Sequence, residues 1–506
     1  MMALAEQSQW RLSQLLDGIA VVEPAADRPI TGLAADNRAV RPGDLFLALS
    51  GTTRHGQQFI SNALQAGAIA VASAQPIESL DAHRRNVPLV VVDHLEAKTG
   101  LIADRFFGQP SADLLTFGVT GTNGKTSTSF FIAQALAGDP TMGPCEVIGT
   151  VGYGAVDALR PASHTTPDPI ALHGLLAEAR ARGARAVALE VSSHALDQHR
   201  IAGLSVDAAI FTNLSRDHLD YHHDMAAYGE AKRRLFLAPG LKYAAINFDD
   251  DFGRWLLDHL PVGVAGAAYS LLHRQFHGHD RDHPVVLGDY QPRIGGGLTV
   301  DIRSPWGLGV LESGLIGNFN AANLLAALTA LLQVGMPFDQ ALDSLAGVRG
   351  APGRLESFGG TDRPLAVVDY SHTPDALRNA LQALRPLCRG QILCVFGCGG
   401  DRDRGKRPLM GAVAEELADR VILTNDNPRS EPPEAIVADI LSGMAQRRRV
   451  IVEYDREAAI NFALSVASAE DILLIAGKGH ETYQEIGGER LPFSDREVVS
   501  GLLSPA

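Results

Sequence analysis

Cysteine is scarce in this 506-residue chain. Cys145, Cys388, Cys394 and Cys398 are all there are, with no Cys-x-x-Cys spacing and no paired histidine motif. That pattern argues against a zinc framework or a disulfide scaffold and leaves reduced, mostly buried thiols as the expectation. Positive charge is also in deficit: Lys and Arg number 44 against 58 Asp and Glu, a formal net charge of −14. Such a balance offers no footprint for nucleic acid or an anionic membrane surface. No apolar run approaches the roughly 20 residues that span a bilayer, so membrane insertion is not expected. Glu6 and Trp10-Arg11 stand where a secretory peptide needs its apolar core. The expectation is a soluble, cytoplasmic protein, a monomer, without internal repeats or low-complexity segments.

What is present is ordinary globular composition, 46% hydrophobic and 20% charged. A single core rarely grows past about 250–300 residues, so several domains are expected. One stretch organises the rest. Leu114 to Val119 is an apolar run that reads as a buried strand, and a helical pattern runs from about Lys125 to Ala137. Between them lies Gly121-Thr-Asn-Gly124. Strand, glycine turn and helix make a phosphate cradle: Gly121 and Gly124 let backbone N–H groups approach an anion, and the helix N-terminus adds partial positive charge. Lys125 can reach the outer phosphates, and the Thr126 hydroxyl can hold a magnesium ion. The standard loop begins with glycine five residues before the Gly-Lys pair; here Val119 occupies that place.

The predicted fold class is α/β in three domains. Residues 1–112 alternate short strands and helices: a strand at 45–49, a helix from Phe59 to Ala66 ended by Gly67, strands at 68–72 and 87–92. Residues 113–350 form a central phosphate-loop-type ATPase domain on a mostly parallel sheet. After the Gly350–Arg354 linker, residues 351–506 form a Rossmann-like domain with strands at 365–369, 391–396, 420–424 and 471–476. Polar clusters follow the strands, where ligands gather in open α/β sheets. Glu190 ends the apolar strand from Ala186, the layout of a second metal-binding motif, which makes it a magnesium candidate.

The segment Thr120-Gly-Thr-Asn-Gly-Lys-Thr-Ser127 resembles the ATP loop of the Mur ligase and folylpolyglutamate synthetase superfamily, and motif after motif along all three domains resembles Mur ligases. The resemblance implies an ATP-dependent ligase forming an amide through an acyl phosphate, with Mg2+. It implies ATP contacts at Gly121, Thr122, Asn123, Gly124, Lys125, Thr126, Ser127, Asn320, Arg354, Asp369 and His372. A uridine-diphosphate substrate would be held by Ala35, Asn37, Thr52, Thr53 and Arg54, and by His164, Thr165, Thr166, Ser192, Gln198 and Arg200. The family commonly has Asp-Ser-Arg where Asp36-Asn37-Arg38 stands, and often Asn at His164. His218 and Lys232 join Thr126 and Glu190 as metal ligands, Lys232 as a carbamate made from carbon dioxide. Asp426-Asn427-Pro428-Arg429 resembles the signature of members that add meso-diaminopimelate to a UDP-N-acetylmuramoyl dipeptide; Arg402 joins that expected site, and Gly477 and Glu481 match positions that hold the amino acid's other end, where a Glu can pair with an ammonium. The chemistry agrees, since diaminopimelate carries a far carboxylate that lysine lacks, and a guanidinium grips carboxylates bidentately. A lysine-adding relative, a folylpolyglutamate synthetase and a nucleotide switch that binds ATP without consuming it remain the alternatives.

Overall fold

A computed structural model describes residues 10–50, 55–76, 86–162, 164–272, 283–293, 297–360, 362–446 and 450–503. The fold is mixed α/β with parallel sheets, as expected. The chain separates into two compact units: Met1–Gly118 with Leu136–Ala209 and Arg234–Lys242, and Val119–Ala135 with Ile210–Arg233 and Tyr243–Ala506.

The first unit contains a four-stranded, all-parallel sheet of Gly32–Ala34, Asp44–Ala48, Ala70–Ser73 and Leu89–Val91, in that order. Its strands are apolar on both sides because both faces are covered. Leu45 and Leu47 enter one core with Leu95, Ile102 and Phe106 of the helix Leu95–Phe106. Phe46 and Ala48 enter the other with Ile60 and Leu64 of the helix Ile60–Ala66, which ends at Gly67 with φ 110°. The side-chain period of two sorts one strand into two cores. Ile170, on the helix Pro169–Ala181, packs into the first core. In the same unit Cys145–Ile148 pairs parallel with Ala186–Glu190.

In the second unit, Tyr243–Asn247, Ala265–Ser270 and Val285–Pro292 pair in parallel, and the chain then doubles back antiparallel through Leu298–Ser304 and Gly307–Ser313. The apolar helix Asn318–Gln333 follows, with most of its residues buried. A six-stranded sheet comes next, ordered Glu356–Gly359, Leu365–Asp369, Ile472–Ala476, Ile392–Phe396, Arg420–Leu423, Val450–Val452. All pairings but the first are parallel. The four strands expected in this region are all present. Leu377, Leu381, Met410 and Ile440 cover one face, and Ile460, Ala463 and Val499 the other.

The buried pair Arg456–Asp495 ties this sheet to its loops. Both side chains are fully buried. The guanidinium donates to Asp495 through Nε at 2.7 Å and Nη2 at 2.8 Å, and reaches the carbonyls of Asn425 and Ala476 at 3.2 and 3.0 Å. Ala476 ends its strand and Asn425 lies two residues past the end of Arg420–Leu423, one residue before Gly477 and Asp426 respectively. Removing one partner leaves the other charge buried and unanswered. Asp495→Ala is therefore expected to cost about 3–5 kcal/mol, read as a lower midpoint in chemical denaturation.

Candidate active site

The glycine turn lies where the sequence puts it, between the strand Leu115–Thr120 and the helix Lys125–Leu136. Gly121 and Gly124 have φ of 148° and 87°, and a Cβ on either would overlap the Thr212 hydroxyl or the Asn323 amide. Side chains fix the turn from all sides. Lys125 Nζ donates to the carbonyls of Gly121 at 2.8 Å and Thr122 at 2.9 Å. Asn213 accepts from Asn123 N at 3.0 Å and donates to Asn123 O at 3.1 Å. Thr122 Oγ1 meets Ser215 O and the Tyr228 hydroxyl, each at 3.2 Å.

Lys232 is 1% exposed. Its Nζ donates to Gly121 O at 2.9 Å and lies 4.3 Å from the centroid of the Tyr228 ring. Burial first, and the charge of Lys125 second, push its amine well below the ordinary lysine range, against an opposing pull from Asp217. Burial would raise the Asp217 carboxyl, but the His372 hydrogen bond and the charges of His218, His372 and Lys406 hold it far below the usual carboxylate range. His218 Nε2 stands 3.4 Å and His372 Nε2 3.7 Å from Asp217 Oδ2. Arg354 lies over the Tyr370 ring, 4.5 Å from its centroid, and Nη2 donates to Thr126 Oγ1 at 3.1 Å.

A cavity of about 540 Å³ opens beside the turn. Asn123, Gly124, Thr126, Ser127, Arg354 and Asp369 line it, six of the residues expected at ATP. Asn320 does not line it; its amide donates to Ile316 O at 2.9 Å within its own helix start. Asn318 and Asn323 line it instead, and both stand in the same quoted segment. Asp249, Asp289, Tyr290 and Asn379 also line it, and no sequence motif marks them.

In the first unit a second cluster forms around Glu190, which is 1% exposed. Its carboxylate accepts from Thr150 N at 2.8 Å and Thr150 Oγ1 at 3.1 Å. The Thr165 hydroxyl can then donate to Thr150 Oγ1, 3.0 Å away, and Thr166 Oγ1 donates to Glu190 O at 2.7 Å. Ser192 N donates to Thr166 Oγ1; Arg200 reaches Thr166 O at 2.8 Å and Gln198 Oε1 at 2.7 Å; Tyr153 holds His164 O. Six residues expected at the substrate or metal, with His164 beside them, are thus one hydrogen-bonded group. Ala35 and Asn37 lie on the turn after Gly32–Ala34, beside the exposed Asp36–Arg38 pair. Thr52, Thr53 and Arg54 lie outside the described residues. Among the described residues no group of three or more His, Cys, Asp or Glu side chains is arranged for a metal.

The third cluster gathers at strand ends of the six-stranded sheet. Arg429, with φ 52°, donates from Nη1 to Gly400 O at 2.8 Å and stands 3.3 Å from Glu485 through Nε. Asn427 Nδ2 donates to Glu481 Oε2 at 2.8 Å. Gly477 has φ 117°, and a Cβ there would strike the Asp426 carboxylate. Pro428 continues the same loop, its carbonyl tight against Gly400, and Arg402 is exposed on the facing loop. Behind both loops lies Arg407, fully buried, gripping Glu431 at 2.7 and 2.9 Å, Asp439 at 2.9 Å and Gly399 O at 3.1 Å.

The chain also resembles known proteins along most of its length. Three family models match: "Mur ligase family, catalytic domain" over residues 29–106, "Mur ligase middle domain" over 119–331, and "Mur ligase, glutamate ligase domain" over 353–479. The chain belongs to the Mur ligase family. Among its Mur ligase relatives, one from Alkalilimnicola ehrlichii is 48% identical over 97% of this chain and 98% of its own. Another, from Pseudomonas aeruginosa, is 49% identical over 95% of this chain and 97% of its own. Both are named UDP-N-acetylmuramoyl-L-alanyl-D-glutamate--2,6-diaminopimelate ligase. A solved structure of a Mur ligase with that name superposes with a TM-score of 0.69 at 37% identity, covering 98% of this chain and 99% of the other.

Arg407 and Glu431 escape a sequence reading because both resemble solvated surface charges. The Arg407 hydrogen bond holds the Glu431 carboxyl down to about 2, with burial opposing it. A carboxyl depressed on folding stabilises above its unfolded value and stops doing so as pH falls through its folded one. Wild type should exceed Glu431→Gln in stability by about 1–3 kcal/mol near neutral pH. In denaturant titrations that gap should shrink as pH falls from about 4.3 toward about 2.

Proposed function

We propose that the chain joins meso-diaminopimelate to UDP-N-acetylmuramoyl-L-alanyl-D-glutamate in ATP-dependent peptidoglycan precursor synthesis. One observation carries the reading: Arg429, Asn427 and Glu481 belong to one cluster, in a chain nearly half identical to ligases named for that reaction. A guanidinium beside a carboxylate suits the far end of diaminopimelate, which carries a carboxylate and an ammonium. Lysine presents no such carboxylate, so a lysine-adding enzyme has no use for Arg429.

The reaction first makes a poor electrophile reactive. The D-glutamyl carboxylate attacks the γ-phosphorus of ATP, the bond to ADP breaks, and an acyl phosphate forms. The amine of diaminopimelate then attacks the acyl carbon; the amide forms, and phosphate and a proton leave. Lys125 and the turn N–H groups hold the phosphates, with Arg354, Asp369 and His372 toward the nucleotide. The protein aligns and neutralises rather than bonding covalently. His164, Thr165, Thr166, Ser192, Gln198 and Arg200 would hold the dipeptide nucleotide, with Ala35, Asn37, Thr52, Thr53 and Arg54 at its uridine end. This division of labour assigns residues 1–112, 113–350 and 351–506 to the nucleotide-sugar, ATP and amino acid respectively. A monomer working in the cytoplasm fits these soluble substrates.

Oxygen donors suit Mg2+. Thr126, Glu190, His218 and a carbamylated Lys232 would hold it, and bound there it neutralises charge on phosphate oxygens. The depressed amine of Lys232 supports the carbamate, because only the neutral amine attacks carbon dioxide, forming an N–C bond and releasing a proton. Labelled bicarbonate should therefore give a carbamate carbon signal near neutral pH in wild type that Lys232→Arg lacks; equal signals would refute the modification.

Phosphate release should require ATP, the UDP-dipeptide and diaminopimelate together, and lysine should substitute poorly. Lys125→Ala should abolish release. Arg429→Ala should lose about 2 kcal/mol or more of binding, a KM for diaminopimelate raised roughly 30-fold. An unchanged KM would overturn the specificity argument.

A further inference from the structure

We propose that Lys478 is the positioning residue that decides which atoms of the amino-acid pocket remain for the substrate. The inference rests on the diaminopimelate reading and adds an atom-level assignment to it. Lys478 follows the strand Ile472–Ala476, between Gly477 and Gly479, both at positive φ. Its side chain is completely buried. Nζ donates to Asn427 Oδ1 at 3.0 Å and to Glu481 Oε2 at 2.7 Å, and lies 5.5 Å from the centroid of the Tyr483 ring.

These contacts leave little freedom. Asn427 Oδ1 also accepts from Glu485 N at 2.9 Å, so both its lone pairs are used. With an ammonium and a backbone N–H facing it, that atom must be the oxygen, and the amide nitrogen must point to Glu481 Oε2, which it meets at 2.8 Å. Glu481 Oε2 thus holds two donors, and Oε1 is the carboxylate oxygen to which no donor is assigned among the described contacts. The same hairpin segment carries Arg429: its N donates to Glu485 O at 2.9 Å, and Gly487 N donates to Arg429 O at 2.8 Å. One buried ammonium therefore joins the Asn427, Glu481 and Glu485 segments beside the guanidinium. In this assignment Glu481 Oε1 takes the far ammonium of diaminopimelate, and Arg429 takes its far carboxylate. Lys478 touches neither; it fixes the spacing between them.

The test compares full-length wild type, Lys478→Met and Lys478→Gln in steady-state phosphate release, with thermal unfolding as a control. Both variants should raise KM for diaminopimelate by roughly 30-fold and leave KM for ATP unchanged. A second readout separates positioning from mere support. A group that only spaces the binding atoms acts on ground-state and transition-state binding alike, so KM for diaminopimelate should rise while kcat at saturating diaminopimelate stays near the wild-type value. A wild-type KM in a folded variant overturns the proposal. So does a loss confined to kcat. If neither variant folds, the lysine is structural and the proposal fails. A wild-type enzyme that uses lysine and refuses diaminopimelate would sink the functional reading instead; the raised KM would then be sought with lysine.

Discussion

Backbone N–H groups bind a phosphate only when the turn that carries them is held still and its own carbonyls are turned away. Here each carbonyl from Gly121 to Asn123 has a donor. Lys125 and Lys232 take Gly121 O, Lys125 also takes Thr122 O, and Thr212 and Asn213 take Asn123 O. The helix that follows leaves its first N–H groups without intrahelical partners, as every helix does. The proposed phosphate site would thus rest on a turn whose own acceptors are occupied by side chains, next to a helix start whose partial positive charge favours an anion. Around that turn burial, and then the charge of Lys125, depress the amine of Lys232, while the His372 hydrogen bond and neighbouring cations overcome burial to depress the carboxyl of Asp217.

The six-stranded sheet solves a different problem. The proposed site for an amino acid with charges at both ends would need opposite charges held apart at fixed spacing. Loops alone cannot supply that, because long charged side chains are costly to order. Three buried cations hold the loops. Arg456 ties the ends of two strands to Asp495, Arg407 locks the Gly399 and Glu431 segments together, and Lys478 joins Asn427 to Glu481. Each is desolvated, and each is answered by carboxylates or amide and backbone carbonyls; buried charges persist only on those terms. The exposed ion pairs elsewhere, such as Asp36 with Arg38, carry no comparable constraint.

Much of this was readable in advance where pattern and chemistry coincide. The continuous apolar runs at 365–369, 391–396 and 471–476 predict buried parallel strands, and Ile392–Phe396 and Ile472–Ala476 are fully buried neighbours. The glycine turn and its lysine announce themselves by spacing. What failed to show was anything whose meaning depends on a distant partner. Lys478, Arg407 and Asp249 look like solvated charges in a linear reading; only the fold surrounds the first two with acceptors. Asn320 illustrates the converse. It stands two residues from Asn318 and three from Asn323, but helical rotation turns its amide back onto Ile316 O and leaves the other two to line the cavity.

The sequence by itself determined the α/β class and the glycine turn, because local periodicity and glycine spacing need no knowledge of the rest of the chain; the Asp426–Arg429 loop stood out through its resemblance to a family signature. The tertiary structure alone decided the insertion of the last parallel strand between the first two, the assembly of residues from 150 to 200 around Glu190, and the burial of Lys232, Arg407 and Lys478. Those depend on which segments, dozens to hundreds of residues apart, share a dry interior. Desolvation and pairing there set the charge of a side chain, and neither is written at its own position.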